Sequence, residues 1–436
     1  MKTEGDETKA GSLAQGVRPR EVWSWAMYDF ANSGYSTVVI TAVFNAYFVA
    51  EVAGRAPWAT FAWTAALAVS YLLIVLTAPV IGAYADAHAA KKRLLALTTG
   101  GCILFTAGLA MVGTGDLALG VALVILSNFF FGTGENLVAA FLPEIARGEK
   151  LGRVSGWGWS LGYLGGIVAL GACLAYITRA QEQGATAGEF VPGAMLITAG
   201  IFALASLPVF LFLRERAVPS TGVHDVLNTA FARVADTLGH ARLYADLWRF
   251  LICLVFYQAG IQTVITLAAV YAQEAMGFTT RDTIFLILVV NLTAAAGAFA
   301  FGHVQDRLGH VRMLALTLCG WLLAVVLAWM AEGAALFWVV ANIVGLCLGS
   351  SQSAGRALVG YLSPPARTAE FFGLWGLAVK LSAILGPLTY GAITWLTHGN
   401  HRVAMLFTGL FFVTGLAILA TLDVARGRRA ALGDPI

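Results

Sequence analysis

The chain has 436 residues, of which 59% are hydrophobic and only 12% are charged. Soluble domains carry about 25% charged residues, so this composition excludes an ordinary soluble enzyme, a disordered chain and a nucleic-acid-binding protein. The net charge of +3 is too small to indicate a polyanionic partner.

Twelve continuous apolar runs follow one another along the chain, each long enough for the about 20 residues that cross a bilayer as a helix. Their apolar residues are continuous rather than alternating, which favours helices over a β-barrel. We therefore expect an all-α membrane protein with twelve transmembrane helices and with polar tails at 1–21 and 424–436. The predicted spans are Val22–Ala50, Thr60–Ala83, Leu94–Val112, Leu117–Leu142, Val154–Ile177, Pro192–Leu213, Phe250–Ala272, Thr283–Gly302, Val311–Met330, Leu336–Leu362, Phe371–Leu396 and Val403–Leu422.

The longest polar break, residues 214–249, divides the chain into two six-helix halves at 22–213 and 250–423. Within this break, Val223–Trp248 has helical periodicity with its charges on one side. That pattern predicts an amphipathic linker helix at the cytoplasmic membrane surface.

Lysine and arginine are unevenly distributed between alternate loops. With the N-terminus inside, 21 of the 27 basic residues fall in inside segments, and the outside loops hold only Arg55, Arg179, Arg281 and Arg402. The positive-inside rule then places both termini in the cytoplasm. We expect a multi-pass protein of the plasma (inner) membrane, surrounded by lipid and monomeric.

An internal repeat with a constant offset of 220 residues relates the two halves. It implies two parallel six-helix halves related by an axis along the membrane normal. The matched pairs are Gly82 and Gly302, Asp86 and Asp306, Lys92 and Arg312, Gly156 and Gly376, and Gly166 and Gly386.

The short loops after the second and eighth spans have the chemistry of gates. Glycine lets two helices approach closely. The aspartate can accept hydrogen bonds from the start of a neighbouring helix and pair with the basic residues that follow it. Such a contact can hold one conformation and release it in another, and a purely structural loop is the alternative. The predicted gating residues are Gly82, Asp86, Lys92, Gly302, Asp306, Arg307 and Arg312.

These two loops resemble the signature loop of the major facilitator superfamily, although the first lacks the arginine that follows the aspartate. Residues 24–33, which read SWAMYDFANS, resemble more specifically the vacuole effluxer family, the autophagy-related amino-acid effluxers of fungi and their bacterial relatives. Further similar stretches are Phe141–Ile145, Gly162–Gly166, Glu370–Gly373 with Lys380, and Gly386-Pro387. In span 7 the family usually has an acidic residue in a Tyr-x-Asp-Gly pattern, where this chain has Tyr257-Gln-Ala-Gly.

The resemblance implies the major facilitator fold, with spans 1, 4, 7 and 10 lining a central cavity. Polar side chains inside the spans are candidate functional residues independently of this resemblance, because a charge near the bilayer centre costs about 2.5–3.5 kcal/mol or more. The predicted substrate-binding residues are Asp29, Asn32, Glu135, Asn136, Gln258, Gln262, Gln352, Arg356 and Lys380.

These charges suggest a division of roles. Arg356, assisted by Lys380, is expected to bind an anionic group of the substrate, while Asp29 or Glu135 takes a cationic group or a coupling proton. Permanent ion pairs that link the two halves are the alternative. Glu144 lies nearer the membrane edge and is expected to have a structural role, paired with Arg147 or Arg153.

The sequence therefore predicts a secondary transporter that works by alternating access, and both signs of charge suit a zwitterion. The resemblance implies amino-acid efflux, with the proton as the candidate coupling ion. Alternatives are an exporter of sugars, drugs or peptides, a lipid transporter or scramblase, and a membrane receptor that binds without flux. No catalytic constellation, phosphate loop or haem or flavin motif is present, so neither an enzyme nor a cofactor, metal or nucleic-acid partner is predicted.

Overall fold

A computed structural model describes residues 12–54, 56, 58–219, 244–278, 280–398 and 400–433. Within these ranges the regular structure is helical, apart from one isolated antiparallel bridge between Leu13 and Ala146. Twelve helices are long and apolar enough to cross a membrane, as the sequence predicts. Most of the predicted linker helix Val223–Trp248 lies outside the described residues.

The helices are numbered here in chain order. They are α1 Pro19–Val52, α2 Ala59–His88, α3 Lys91–Gly108, α4 Leu117–Ala139, α5 Leu151–Glu182, α6 Ala187–Phe212, α7 Ala245–Glu274, α8 Thr280–Leu308, α9 His310–Met330, α10 Ala334–Leu362, α11 Thr368–Leu396, α12 His401–Leu419 and α13 Val424–Leu432.

The segment predicted as a C-terminal tail contains the short helix α13. The Asp423 carboxylate accepts the N–H of Arg426 at 2.9 Å, which satisfies one of the free donors at the helix start. Gly433 ends the helix with a φ of 78°, a left-handed conformation that glycine adopts without strain. These two residues set the bounds of α13.

The second part of α1 departs from regular α-helix. Ser36–Ala42 and Phe48–Val52 are π-helical, and the Thr41 hydroxyl donates to the carbonyl of Ser36 at 3.1 Å. Such segments insert extra residues into a turn and are frequent near functional sites. The helical face that carries Asp29 and Asn32 therefore does not continue at regular spacing beyond them.

Helices α1–α6 and α7–α12 form the two halves, which meet where α2 packs on α11 and α5 packs on α8. The two contacts are equivalent under the 220-residue repeat. Glycines make both possible, since a Cβ at Gly82 would lie 2.8 Å from the Cα of Glu370 and one at Gly302 would lie 2.8 Å from the Gly152 carbonyl.

One end of the molecule, called the gate end below, carries the α2–α3 turn, the α8–α9 turn, residues 12–17 and α13. Several side-chain hydrogen bonds join the halves, and each involves the part of its helix that lies nearer this end. They link Arg356 to Asp29 and Ser155, Ser155 to Ser353, Ser353 to Gly152, Lys380 to Glu135, Asp86 to Glu370 and Asp306 to Arg153. These contacts hold the gate end closed.

Candidate substrate site and gate

Arg356 of α10 is buried between the halves, with 3% of its side chain exposed. Its Nη1 donates to Asp29 Oδ2 at 2.7 Å, its Nε to the Ser155 hydroxyl at 3.1 Å and its Nη2 to the Ser155 carbonyl at 2.9 Å. The guanidinium carbon lies 4.7 Å from a ring centroid of Trp25 and 5.2 Å from one of Trp159. The Asp29 carboxylate balances the charge of the guanidinium, and the two indole rings cover the faces of the guanidinium.

Small residues of α5 make this arrangement possible. A Cβ at Gly158 would lie 2.6 Å from Arg356 Nη2 and 2.8 Å from the Trp25 ring. The Ser155 hydroxyl, which accepts from Arg356, donates in turn to the carbonyl of Ser353 at 2.9 Å. The arginine is therefore part of a sealed contact between α1, α5 and α10.

A second ion pair between the halves is looser and more accessible. Lys380 Nζ lies 3.4 Å from Glu135 Oε2 and 5.3 Å from the ring centroid of Tyr71. The Glu135 side chain keeps 26% of its surface exposed, against 11% for Asp29 in the first pair. This pair joins α4 to α11 while about a quarter of the glutamate side chain stays exposed.

The sequence predicted, as the alternative, ion pairs of Asp29 or Glu135 with Arg356 or Lys380, and it left open which acid meets which base. The structure joins Arg356 to Asp29 and Lys380 to Glu135, each pair with one member in either half. This is the arrangement of the ion-pair alternative. A ligand role for the same residues stays a prediction.

The predicted amides supply unused hydrogen-bonding groups. Gln258 Nε2 donates to Gln352 Oε1 at 2.8 Å, while Gln258 Oε1 has no partner within the described part of the chain. Both amide atoms of Asn136 and the Asn32 oxygen are likewise buried without a partner there. Buried polar atoms are normally paired, so these atoms are available to water or a ligand. Gln262 is half-buried.

The first gate is built around Asp86 at the end of α2. Its Oδ2 accepts the N–H of Glu370 at the start of α11 at 3.0 Å, and its Oδ1 lies 3.1 Å from Lys91 Nζ. The expected use of the aspartate, as acceptor for a helix start and partner of a basic residue after it, is confirmed here.

Lys91 also lies 2.8 Å from Glu144 Oε1, so the prediction that Glu144 pairs with Arg147 or Arg153 is wrong. The lysine is 1% exposed and reaches two carboxylates at once, which the loop arginines do not.

Lys92, which is predicted as a gating residue, contacts only its own six-helix half through its side-chain hydrogen bond. Its Nζ donates to the Leu213 carbonyl at 2.6 Å. The backbone N–H groups of Lys91 and Lys92 donate to the Glu215 carboxylate at 2.7 Å and 3.1 Å, which caps the start of α3. Lys91 is therefore the cation that pairs with Asp86, and the sequence analysis did not select it because the repeat aligns Lys92 with Arg312.

The second gate has the same acceptor and a different cation. Asp306 Oδ1 accepts the N–H of Arg153 at 3.2 Å at the start of α5, and its Oδ2 lies 3.3 Å from Arg153 Nε. The acceptor role of Asp306 is confirmed, but pairing with a basic residue after it is not. Arg307 and Arg312 are exposed and form no ion pair with any other described residue.

A cavity of about 780 Å³ lies at the opposite end of the molecule between α7 and α11. Leu267 and Trp395 are among its mainly apolar lining residues. Tyr390 Oη lies 3.0 Å from His401 Nδ1 in its wall. It shares no residue with the predicted substrate-binding set, so the charge pairs define the candidate site.

Residues 57–432 match the family described as "Vacuole effluxer Atg22 like". The chain belongs to this Atg22-like family. The Bacillus subtilis (strain 168) protein named "Uncharacterized MFS-type transporter YxiO" is 28% identical over 402 residues, which cover 91% of this chain and 93% of that protein. Autophagy-related protein 22-1 of Neosartorya fischeri is 24% identical over 332 residues, 69% of this chain and 54% of that protein.

Solved structures show the same fold. The human organic anion transporter MFSD10 (TETRAN) has a TM-score of 0.72 at 15% identity, covering 92% of this chain and 100% of that one. The proton:xylose symporter XylE has a TM-score of 0.70 at 14% identity, covering 92% and 95%. This Atg22-like chain therefore has the major facilitator fold and is a multi-pass membrane transporter rather than an enzyme.

Proposed function

We propose that this Atg22-like protein exports a small zwitterionic solute, with amino acids as the first class to test, by alternating access between its two halves. The observation that carries the proposal is the Lys380–Glu135 pair, because opposite charges from opposite halves meet at 3.4 Å and the glutamate side chain keeps 26% of its surface exposed. A zwitterion offers the complement of both, its carboxylate to the lysine and its ammonium to the glutamate. The autophagy-related relatives and the family description support efflux.

The Arg356–Asp29 pair has a different role in this conformation. Its guanidinium has contacts on α1 and α5, so a ligand cannot reach it while the gate end is closed. Separation of α5 from α10 would remove the Ser155 contacts and free Nε and Nη2, the planar fork that suits a carboxylate. Substrate would thus meet Arg356 in the state that is open at the gate end.

The proposed orientation determines which end of the molecule must open for the substrate to be loaded during export. The distribution of basic residues supports a gate end that faces the cytoplasm, and the plasma membrane is part of the proposal. The structure is then closed to the cytoplasm, and export requires loading after the Asp86 and Asp306 contacts break.

The central experiment neutralises the accessible pair. Purified protein in proteoliposomes is tested for counterflow of labelled amino acids, after a thermal-shift panel of metabolites has identified a ligand. Glu135→Gln and Lys380→Gln should each lower flux at least tenfold. The double variant should regain stability, because no charge is stranded, yet remain inactive. Arg429→Gln, a change at an exposed residue of α13 outside the predicted site and gate, is the control. Near-normal flux in the double variant would refute a ligand role for the pair.

Proton coupling is a separate part of the proposal. Glu135 is the candidate proton carrier because it is more exposed than Asp29. Glu135→Gln should then remove the dependence of residual exchange on a pH gradient, whereas Asp29→Asn should retain it. If Asp29→Asn removed the pH dependence and Glu135→Gln retained it, Asp29 would be the proton carrier.

A further inference from the structure

Residues 12–17, called the N-terminal segment below, lie against the gate end before α1 begins. The Ala14 N–H donates to the Ile145 carbonyl at 3.1 Å, and the Arg147 N–H donates to the Ser12 carbonyl at 3.2 Å. The segment therefore adds a short antiparallel pairing to the loop that leads into α5.

The segment also reaches the second gate through one side chain. Arg153 Nη1 donates to the Ser12 hydroxyl at 3.1 Å, while Nε of the same guanidinium lies 3.3 Å from Asp306 Oδ2. The aspartate side chain is fully buried and belongs to the other half, whereas 27% of the arginine side chain is exposed. One guanidinium thus joins the N-terminal segment to the contact between the halves.

We propose that the N-terminal segment is a positioning element for the gate, which orients Arg153 toward Asp306 and so stabilises the closed gate end. A free arginine side chain loses rotamer freedom when it forms an ion pair. The Ser12 contact restricts that freedom beforehand, so less is lost when Asp306 approaches. Because coupling is reciprocal, closure of the gate must also bind the segment more tightly. This inference extends the proposed alternating access to its regulation.

The geometry of the segment supplies a matched control. The Val17 N–H donates to the Ala14 carbonyl at 3.1 Å, and Gly16 between them has a φ of 77°. This is a turn with glycine as its third residue, and such turns favour proline as the second. Gln15→Pro is therefore compatible with the fold, whereas Ala14→Pro removes the N–H that binds the loop.

The test measures the gate directly. Spin labels at positions 93 and 312, exposed residues of opposite halves at the gate end, report its opening in protein whose exposed Cys319 is replaced by serine. Ser12→Ala and Ala14→Pro should raise the ratio of open to closed molecules roughly two- to tenfold, the equivalent of one lost hydrogen bond. Ser12→Thr, which keeps the hydroxyl, and Gln15→Pro should match the unsubstituted protein.

Hydrogen exchange supplies the reciprocal measurement. Asp306→Asn, which weakens the gate, should speed exchange of the amides of residues 12–17. An unchanged distance distribution in both Ser12→Ala and Ala14→Pro would overturn the proposal, as would unchanged exchange in Asp306→Asn. Neither readout requires a substrate, so a failure to detect amino-acid flux would refute the proposed function without deciding this one.

Discussion

Arg356 illustrates how a charge is accommodated inside a membrane-spanning helix. Its neutralising carboxylate comes from Asp29, a residue 327 positions earlier in the chain, and its remaining hydrogen bonds are made with Ser155 of α5. Breaking a buried pair by removal of one partner typically costs about 3–5 kcal/mol, because the other charge is left stranded. The arginine is thus tolerated only while several helices keep their relative positions.

Space for that arginine depends on one glycine of α5. We predict that Gly158→Ala lowers stability by about 1–3 kcal/mol, the usual range for overpacking, since its methyl would meet both Arg356 and Trp25. Thermal unfolding in detergent measures the change. Gly171→Ala on the same helix is the control, because no atom lies within 4 Å of its added Cβ. Equal melting temperatures for the two variants would contradict the packing described for Gly158.

The shape of the guanidinium matters as well as its charge. Arg356→Lys keeps the charge but cannot reproduce the contacts of Nε and Nη2 with Ser155, so we expect a loss of about 1–2 kcal/mol of stability and weaker ligand binding. Arg249→Lys is the comparison, since Arg249 forms an ion pair with Asp246 and is 45% exposed. Exposed pairs contribute about 0–1 kcal/mol, so that variant should unfold nearly as the unsubstituted protein does.

Sequence reasoning identified Asp29, Arg356 and Lys380 as buried charges, because apolar spans make such residues conspicuous, but it did not select the equally buried Lys91 and Glu370. It could not identify the partners, since pairing depends on how each helix is rotated about its axis. Glu144 shows the limit. Neighbouring arginines suggested a local partner, whereas Lys91 from another loop reaches it in the folded chain.

At the scale of elements, the gates follow from the repeat. The 220-residue offset predicted that the two loops are equivalent and that their aspartates accept hydrogen bonds from the start of a neighbouring helix. Both aspartates do so. The cations differ, because Lys91 follows the first aspartate while Arg153 comes from the opposite half. The backbone N–H donors are positioned by helix packing and recur in both loops, whereas the cation depends on which basic side chain can reach the aspartate.

Close approach of α2 and α11 rests on Gly82. A Cβ there would meet the backbone of Ala369 and Glu370, which cannot rotate away as a side chain can. We predict that Gly82→Ala separates the helices and shifts the gate end toward its open state by about 1–3 kcal/mol. The same spin-label distance reports it. Gly100→Ala, in open surroundings on α3, should leave the distance unchanged, and a similar shift in both would show that the effect is not local.

At the scale of the whole molecule, hydropathy alone located the twelve helices, because the bilayer sets their length. It could not show that α1 winds into π-helix, since that depends on packing against neighbours, nor that the segment after span 12 forms α13. The fold could thus be predicted from the composition and the internal repeat. The ion pairs of the candidate site could not, because they depend on distances between residues of the two halves.

The distribution of basic residues predicts how the whole molecule is oriented in the membrane. The turn after α5 and the start of α3 lie at opposite ends, and only the second is rich in basic residues, with Lys91, Lys92 and Arg93. Because lysine and arginine resist translocation, we expect the gate end in the cytoplasm. In intact cells, an impermeant maleimide should label Gln183→Cys and label Arg93→Cys only after the membrane is permeabilised. Labelling of Arg93→Cys in intact cells would show that the gate end faces outward, which would contradict the proposed orientation.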